Sequence, residues 1–286
     1  MDGILVVNKP YGCTSHDVVY KVKKTLKQKV GHTGTLDPMA TGVLPLLIGK
    51  GTLISKYLIN HDKIYEATIK LGIQTETLDS EGKIIEEKEV AEEILDKKFV
   101  EQILKEFLGT RKQVPPMYSA IKVNGKKLYD YARNGEAIDI PERTIHIYNI
   151  SLLYIDKKNK EIKFRVECSK GTYIRTLCKD IAEKAGNIGY MCALNRIKVG
   201  DFNIEDAISV DEIDENNIHI IGIEEIFEHK KEIVLKSKTE LQKFLNGVKL
   251  SYNVSDDVYR IYDVSNVFIG LGIVANGLLK RDVVVV

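Results

Sequence analysis

The chain is poor in the residues and patterns that mark several large protein classes. Its 286 residues hold only four cysteines, Cys13, Cys168, Cys178 and Cys192, with no paired spacing. They read as reduced thiols, not as a disulfide framework or metal clip. The six histidines are scattered, and no Cys/His pair has zinc spacing. No long hydrophobic run occurs: the stretch Gly42–Gly49 is interrupted by Pro45 and falls far short of the roughly 20 residues a membrane span needs. The opening residues Met1-Asp2-Gly3-Ile4-Leu5-Val6-Val7 carry no basic leader, so the expectation is a cytoplasmic protein with no membrane partner. Gly49-Lys50-Gly51-Thr52 looks like a fragment of a phosphate loop, but Leu44 stands where the first glycine should be. No Gly-x-Gly-x-x-Gly follows a strand. A nicotinamide or metal cofactor is therefore not expected, and the chemistry falls to side chains.

What is present is a segmented charge pattern hidden under a net charge of +1. Residues 1–60 and 107–200 are basic, whereas 76–106 and 201–232 are acidic. Charge runs are commonly no more than solvated faces. Here the second basic block also carries Tyr118, Tyr129, Tyr131, Tyr148, Tyr154 and Tyr173. Rings interleaved with cations suit an RNA surface.

Periodicity divides the chain further. Ile4–Val7 and Val43–Ile48 read as buried strands, the second needing an edge or bulge at Pro45. Thr14 and Asp17 fit a capping box opening a helix over 15–28. Residues 64–71 alternate, so Tyr65, Ala67, Ile69 and Leu71 share an apolar face. A helix is expected over 92–108, ended by Gly109, and a turn at Asn124-Gly125. Strands over 144–155 and 162–168 pair, followed by a helix with the stripe Ile174, Leu177, Cys178, Ile181 and Ala185. The acidic 201–228 stretch reads as a connector with a short helix, and strands near 231–235, 258–264 and 267–274 make a small β-rich module. Strands and helices mix without βαβα alternation, so the fold class is α+β.

Local sequence leaves single residues ambiguous. Asp37 before Pro38 reads first as the cap of a one-turn helix ending at Gly42. Arg175 reads as a solvent-facing residue in a first helical turn, Tyr65 as a core tyrosine and His32 as a satisfied loop histidine. Taken together, five segments resolve them: Asn8-Lys9-Pro10-Tyr11-Gly12-Cys13-Thr14-Ser15; Gly31-His32-Thr33-Gly34-Thr35-Leu36-Asp37-Pro38 through Pro45; Asp62-Lys63-Ile64-Tyr65; Pro116-Met117-Tyr118-Ser119-Ala120; and Cys168-Ser169-Lys170-Gly171-Thr172-Tyr173-Ile174-Arg175-Thr176-Leu177. In this order they closely resemble the TruB family of bacterial tRNA pseudouridine synthases, over about residues 2–200.

The resemblance implies a catalytic domain over 1–228 built on a mixed, mostly antiparallel sheet, with an inserted thumb at about 112–140. It implies a small PUA-like RNA-binding domain over 229–286. The activity implied is isomerisation of uridine 55 in the TΨC arm of tRNA by base flipping, without cofactor, guide RNA or obligatory protein partner, by a monomer that also helps tRNA fold. Carried over position by position, Asp37 matches the catalytic aspartate and Tyr65 the tyrosine that stacks on the target uracil and accepts a proton. Arg175 matches the arginine paired to the aspartate. Tyr173 and Leu194 match pocket residues, His32 the histidine that helps displace the flipped nucleotide, and Asp79 an acid that hydrogen-bonds within the pocket. Glu76 departs from the family's more usual Asp. Two other readings stand beside this one: a non-catalytic RNA-binding protein on the same scaffold, and the catalytic subunit of a guide-RNA particle.

Overall fold

The computed structural model describes residues Met1–Val286 and is α+β. Its larger sheet has eleven strands. Seven form its body: β1 (Gly3–Lys9), β2 (Thr41–Ile48), β3 (Lys63–Leu71), β4 (Gly109–Gln113), β5 (Arg143–Asp156), β6 (Glu161–Cys168) and β7 (Gly189–Val199), in the order β1-β2-β7-β3-β6-β5-β4. Four short strands pair alongside β1, β2 and β7. Three helices pack against this sheet: α1 (Ser15–Leu26), α2 (Lys97–Lys105) and α3 (Ile174–Lys184). None is long and apolar enough to cross a membrane.

The continuous apolar runs of β1 and β2 are explained by cover on both faces. Leu5, Val7, Leu44, Leu46 and Ile48 pack under Val18, Val19, Val22 and Leu26 of α1. On the opposite face Ile4, Val6, Val43 and Leu47 meet Ile223, Phe227, Leu271 and Val283. The last two belong to a second, five-stranded sheet over Glu232–Val284, which thus leans on the first. Helix α1 begins with the capping box foreseen at Thr14 and Asp17, both reciprocal bonds being formed. On β3, Tyr65, Ala67, Ile69 and Leu71 are the buried face, as the alternation requires, and join Ile174, Leu177, Cys178 and Ile181 of α3 in the largest core, where Ala182 takes the place expected of Ala185, the half-buried C-cap.

Pro45 shows how a proline is tolerated inside a sheet. Its ladder to β1 is unbroken, from Gly3↔Ile48 to Lys9↔Gly42. On its other side the short strand Val30–His32 stops at His32↔Leu46, and β7 pairs only at Thr41 and Gly42. Pro45 therefore lies just past the end of that ladder, where its carbonyl still accepts from Thr33 N–H at 3.4 Å and no amide donor is required of it.

Three sequence expectations change. The acidic helix over 92–108 is broken by Asp96, which is extended and caps α2 through the Phe99 amide; a 3₁₀ turn precedes it, and Gly109 opens β4. The one-turn helix expected after Asp37 is not formed: residues 33–40 are turns and bends, closed by Ala40 N–H donating to Asp37 O at 3.0 Å. The small module also holds a helix, Lys238–Leu245, that periodicity had not claimed.

Every neighbouring pair in the body of the sheet is antiparallel except β2 and β7, which run parallel through two residue pairs, Asn195↔Thr41 and Arg196↔Gly42. Gly42 has φ +108°, and a Cβ there would sit 2.2 Å from Arg196 O. Both the left-handed backbone and the close approach demand glycine. Gly42→Ala is expected to cost about 2–4 kcal/mol of stability, read as a lower midpoint in urea unfolding. An unchanged midpoint would show that the seam yields freely.

Candidate functional site

Asp37, Tyr65, Tyr173, Arg175 and Leu194 line one cavity of about 750 Å³. They come from four places: the loop before β2, strand β3, the start of α3, and β7 just before the parallel seam. Arg175 lies beneath them. Its residue is 6% exposed, not solvent-facing as a first-turn position suggested. The guanidinium donates through Nε to Asp37 Oδ2 at 3.1 Å and through Nη2 to Asp37 Oδ1 at 3.4 Å. Nη1 reaches Asp79 Oδ2 at 3.2 Å and Thr77 O at 3.2 Å, and Nη2 also reaches Tyr118 O at 2.8 Å. One planar fork thus holds two carboxylates and two carbonyls from three segments.

The two acids are not equivalent. The Asp79 side chain is almost sealed, its Oδ1 also taking the Thr77 hydroxyl and the Glu81 amide. It sits behind the cavity, not in its wall. The turn that delivers it puts Leu78 in the left-handed region at φ +63°, strain carried by a bulky residue next to the site. Asp37 by contrast keeps a third of its side chain open to the cavity. Burial pushes its pKa above the ordinary aspartate value, Arg175 pulls it back, and the Asp79 charge adds to the rise. Arg175 therefore moderates the effect of burial without reversing it.

Tyr65 is buried against this group, and burial raises its pKa too, opposed by the nearby Arg196 guanidinium. The phenol is neutral at neutral pH. Leu194 on β7 flanks the same space. His32 is placed differently. It pairs with Leu46 behind the loop and does not line the cavity, its Nδ1 buried without a partner and its pKa lowered by burial. Glu76 accepts from the Tyr118 hydroxyl at 2.7 Å, tying the 112–140 segment to the stretch that leads into Asp79.

Several residues that hold this arrangement carried no local signal. Lys9 is fully buried and donates to Pro10 O, Cys13 O and Pro38 O, fixing the residue after Asp37. Ser15 exchanges two hydrogen bonds with the backbone of Leu36, the residue before it. Arg196 donates to Val43 O and Gly34 O from the far side. Gln113 clamps the N-terminus of α3, accepting from Tyr173 N at 2.8 Å and donating to Tyr173 O at 3.0 Å. Each makes contacts far apart in sequence. Only the segment from Asn8 to Ser15, which holds both Lys9 and Ser15, pointed near any of them.

Residues 22–174 match the profile of the TruB family pseudouridylate synthase N-terminal domain, and residues 175–229 that of the tRNA pseudouridylate synthase B C-terminal domain. The tRNA pseudouridine synthase B of Clostridium acetobutylicum is 48% identical over 281 residues, covering 95% of each chain. That of Clostridium kluyveri is 45% identical over the same shares, and that of Caldanaerobacter subterraneus 42% identical over 96% of this chain and 95% of its own. Among solved structures, a Cbf5-Nop10-Gar1 complex contains a chain 27% identical with a TM-score of 0.66, covering 95% of this chain and 78% of that one. An H/ACA RNP bound to a substrate RNA containing 2′-deoxyuridine matches at TM-score 0.68 and 24% identity, over 99% of this chain and 85% of that one, a likeness of fold alone.

Arg175→Met leaves the Asp79 carboxylate buried without its cation, at an expected cost of about 3 kcal/mol at pH 7. It also leaves Asp37 under burial and Asp79 repulsion, which both raise its folded pKa further above the unfolded value. The folded variant then binds a proton more readily than the unfolded chain. Its deficit should accordingly shrink as pH falls toward that raised pKa. Urea unfolding of both proteins at pH 7 and pH 5 measures this, and an equal or larger deficit at pH 5 would contradict it.

Proposed function

Because the chain belongs to the TruB family of pseudouridylate synthases, we propose that it converts uridine 55 in the TΨC arm of tRNA to pseudouridine, with Asp37 as the reacting carboxylate. The reaction breaks N1–C1′ and makes C5–C1′; C5 gives up its proton and N1 gains one. Nothing is oxidised and no group is lost, so the chemistry calls for no nicotinamide or metal. It calls for an anionic carboxylate at the sugar or base, either as nucleophile or facing a charged sugar. The carrying observation is the Arg175 fork, which holds Asp37 beside a cavity wide enough for a nucleotide and leaves its carboxylate partly open.

The target base lies in a stacked loop and must be flipped out, at a cost of a few kcal/mol offset by stacking and phosphate contacts. Tyr65 and Leu194 supply the surfaces for the base, and Tyr65 is the candidate proton acceptor. Tyr173 closes the pocket beside them, Asp79 holds Arg175, and His32 supports the loop from behind while the nucleotide is displaced. On α1 and just beyond it, Lys23, Lys24, Lys27 and Lys29 are exposed and make no ion pair, whereas Lys21 is taken by Asp211. They are the phosphate contacts of this reading. The 112–140 segment acts as the thumb over the RNA arm, with Gly109 and Gly135 at its ends. Residues 1–228 form the catalytic domain and 229–286 a PUA-like RNA-binding domain; the change of sheet just after the short Ile223–Ile226 helix supports that division. The enzyme works as a single chain in the cytoplasm, without guide RNA, and melting the arm to reach its base also assists tRNA folding.

Purified full-length protein is expected to release tritium from a T-arm stem-loop carrying 5-tritiated uridine. Asp37→Asn should lower turnover by at least about 10³-fold while RNA affinity stays within about threefold. The raised pKa of Asp37 places the acid limb of kcat/KM above the ordinary aspartate value, with activity lost as pH falls through it. No tritium release by the wild type would sink the enzyme reading. Turnover retained by Asp37→Asn would sink only the assignment of Asp37.

A further inference from the structure

Three buried side-chain polar atoms have no hydrogen-bond partner: His32 Nδ1, His61 Nδ1 and Ser119 Oγ. Of these residues only Ser119 lines the Asp37 cavity. It is 5% exposed, and its backbone is fixed on both sides, Ser119 N donating to Met117 O at 2.9 Å and Tyr129 N to Ser119 O at 3.1 Å. The hydroxyl is therefore held out of water. A buried hydroxyl left unpaired is costly, and where it borders a ligand cavity the missing partner is a group of the ligand. Tyr173 borders the same space, its phenol near enough to feel the Ser119 hydroxyl without the two forming a hydrogen bond of full geometry.

Resting on the uridine reading of the site, we propose that the Ser119 hydroxyl, together with the Tyr173 phenol, hydrogen-bonds the imide edge of the flipped uracil, where N3–H stands between O2 and O4. The reaction itself singles out that edge. Detached at N1 and rejoined at C5, the base must make a half-turn about the line from N3 to C6. That turn exchanges O2 with O4 and leaves N3–H where it was. The imide edge is thus the polar face that substrate and product present alike. Hydroxyls suit it, because each can donate to a carbonyl or accept from N–H by rotating its own proton. Fixed donors such as those of Arg175 face the carboxylates instead.

The position of Ser119 adds a second consequence. Its neighbour Tyr118 receives the Arg175 Nη2 donor on its carbonyl and gives its own hydroxyl to Glu76. Ser119 is thus carried to the cavity by a segment that is itself tied to Arg175.

The test uses the full chain and T-arm stem-loops carrying uridine, 2-thiouridine or 4-thiouridine at the target position. Ser119→Ala is expected to lower kcat/KM on uridine about tenfold, the equivalent of one hydrogen bond, while its melting temperature stays equal or rises because a buried unpaired hydroxyl has gone. With at least one thio substrate the loss should be clearly smaller, since the weakened contact cannot be lost twice. Unchanged kcat/KM would overturn the contact. A fall matched by a lower melting temperature would make Ser119 structural, and an equal fall on all three substrates and on a fourth stem-loop carrying 3-methyluridine would exclude the imide edge. A wild type inactive on every substrate would overturn the uridine reading itself, and this proposal with it.

Discussion

The architecture of the site depends on one guanidinium sharing itself between two carboxylates. Arg175 carries one positive charge, and Asp37 and Asp79 together carry two negative ones when ionised. A single isolated ion pair would hold Asp37 strongly as an anion but would also quiet it. Sharing the cation leaves Asp37 under-compensated, which is why burial still wins and its pKa lies above the ordinary value. Glu81, whose amide donates to Asp79, feels the same local excess, its pKa raised by burial and then by Asp79 and Asp37. An acid so placed, once ionised, keeps a strong demand for positive charge. In the proposed reaction, a sugar carbon losing its base would supply that demand.

Such a balance survives only if none of the three groups can move. Asp37 is on an irregular loop, the least rigid kind of element, so its rigidity is imported. Lys9 and Ser15 hold the loop backbone on either side of Asp37, and Arg196 grips it at Gly34. The burial of Lys9 is intelligible in these terms: an ammonium stripped of water is tolerated because three carbonyls replace it, although desolvation still lowers its pKa. Gln113 does for Arg175 what Lys9 does for Asp37, locking the first turn of α3 through the Tyr173 backbone. Asp79 is held by a turn that accepts left-handed strain at Leu78.

The range of each interaction decides whether the chain reveals it. The capping box at Thr14 and the alternation that buries Tyr65 act over three or four residues and are visible in any short window. The Asn124-Gly125 turn is equally local, and both residues adopt the positive φ that a tight hairpin requires. Asp37 misled for the same reason: Asp-Pro is a good helix start, but a partner 138 positions away captured its carboxylate. Gln113 and Arg196 were silent because their partners are backbone groups, which leave no mark in composition or spacing, and Lys9 and Ser119 stood out only as members of the matched segments. The helix Lys238–Leu245 was legible and overlooked. Leu241, Phe244 and Leu245 recur at three- and four-residue steps, and Ser237 caps it with Glu240 three residues on.

The site also has a reason to be where it is in the sheet. Antiparallel neighbours share long ladders and lie flush, as β3 does with β6 and β7 over nearly their whole lengths. The parallel seam of β2 and β7 lasts two residue pairs, and beyond it the strands part. Where strands part, side chains from both halves turn into a common space instead of into a neighbouring strand. The loop before β2 brings Asp37 to this opening from one half. Leu194 and Arg196 on β7 and Tyr65 on β3 border it from the other. Gly42, at the seam itself, lets the two backbones come close enough for Arg196 to grip the loop. A longer parallel ladder would close the opening, and a missing one would let the halves drift. Two residue pairs are enough to fix the distance and few enough to leave the cavity open.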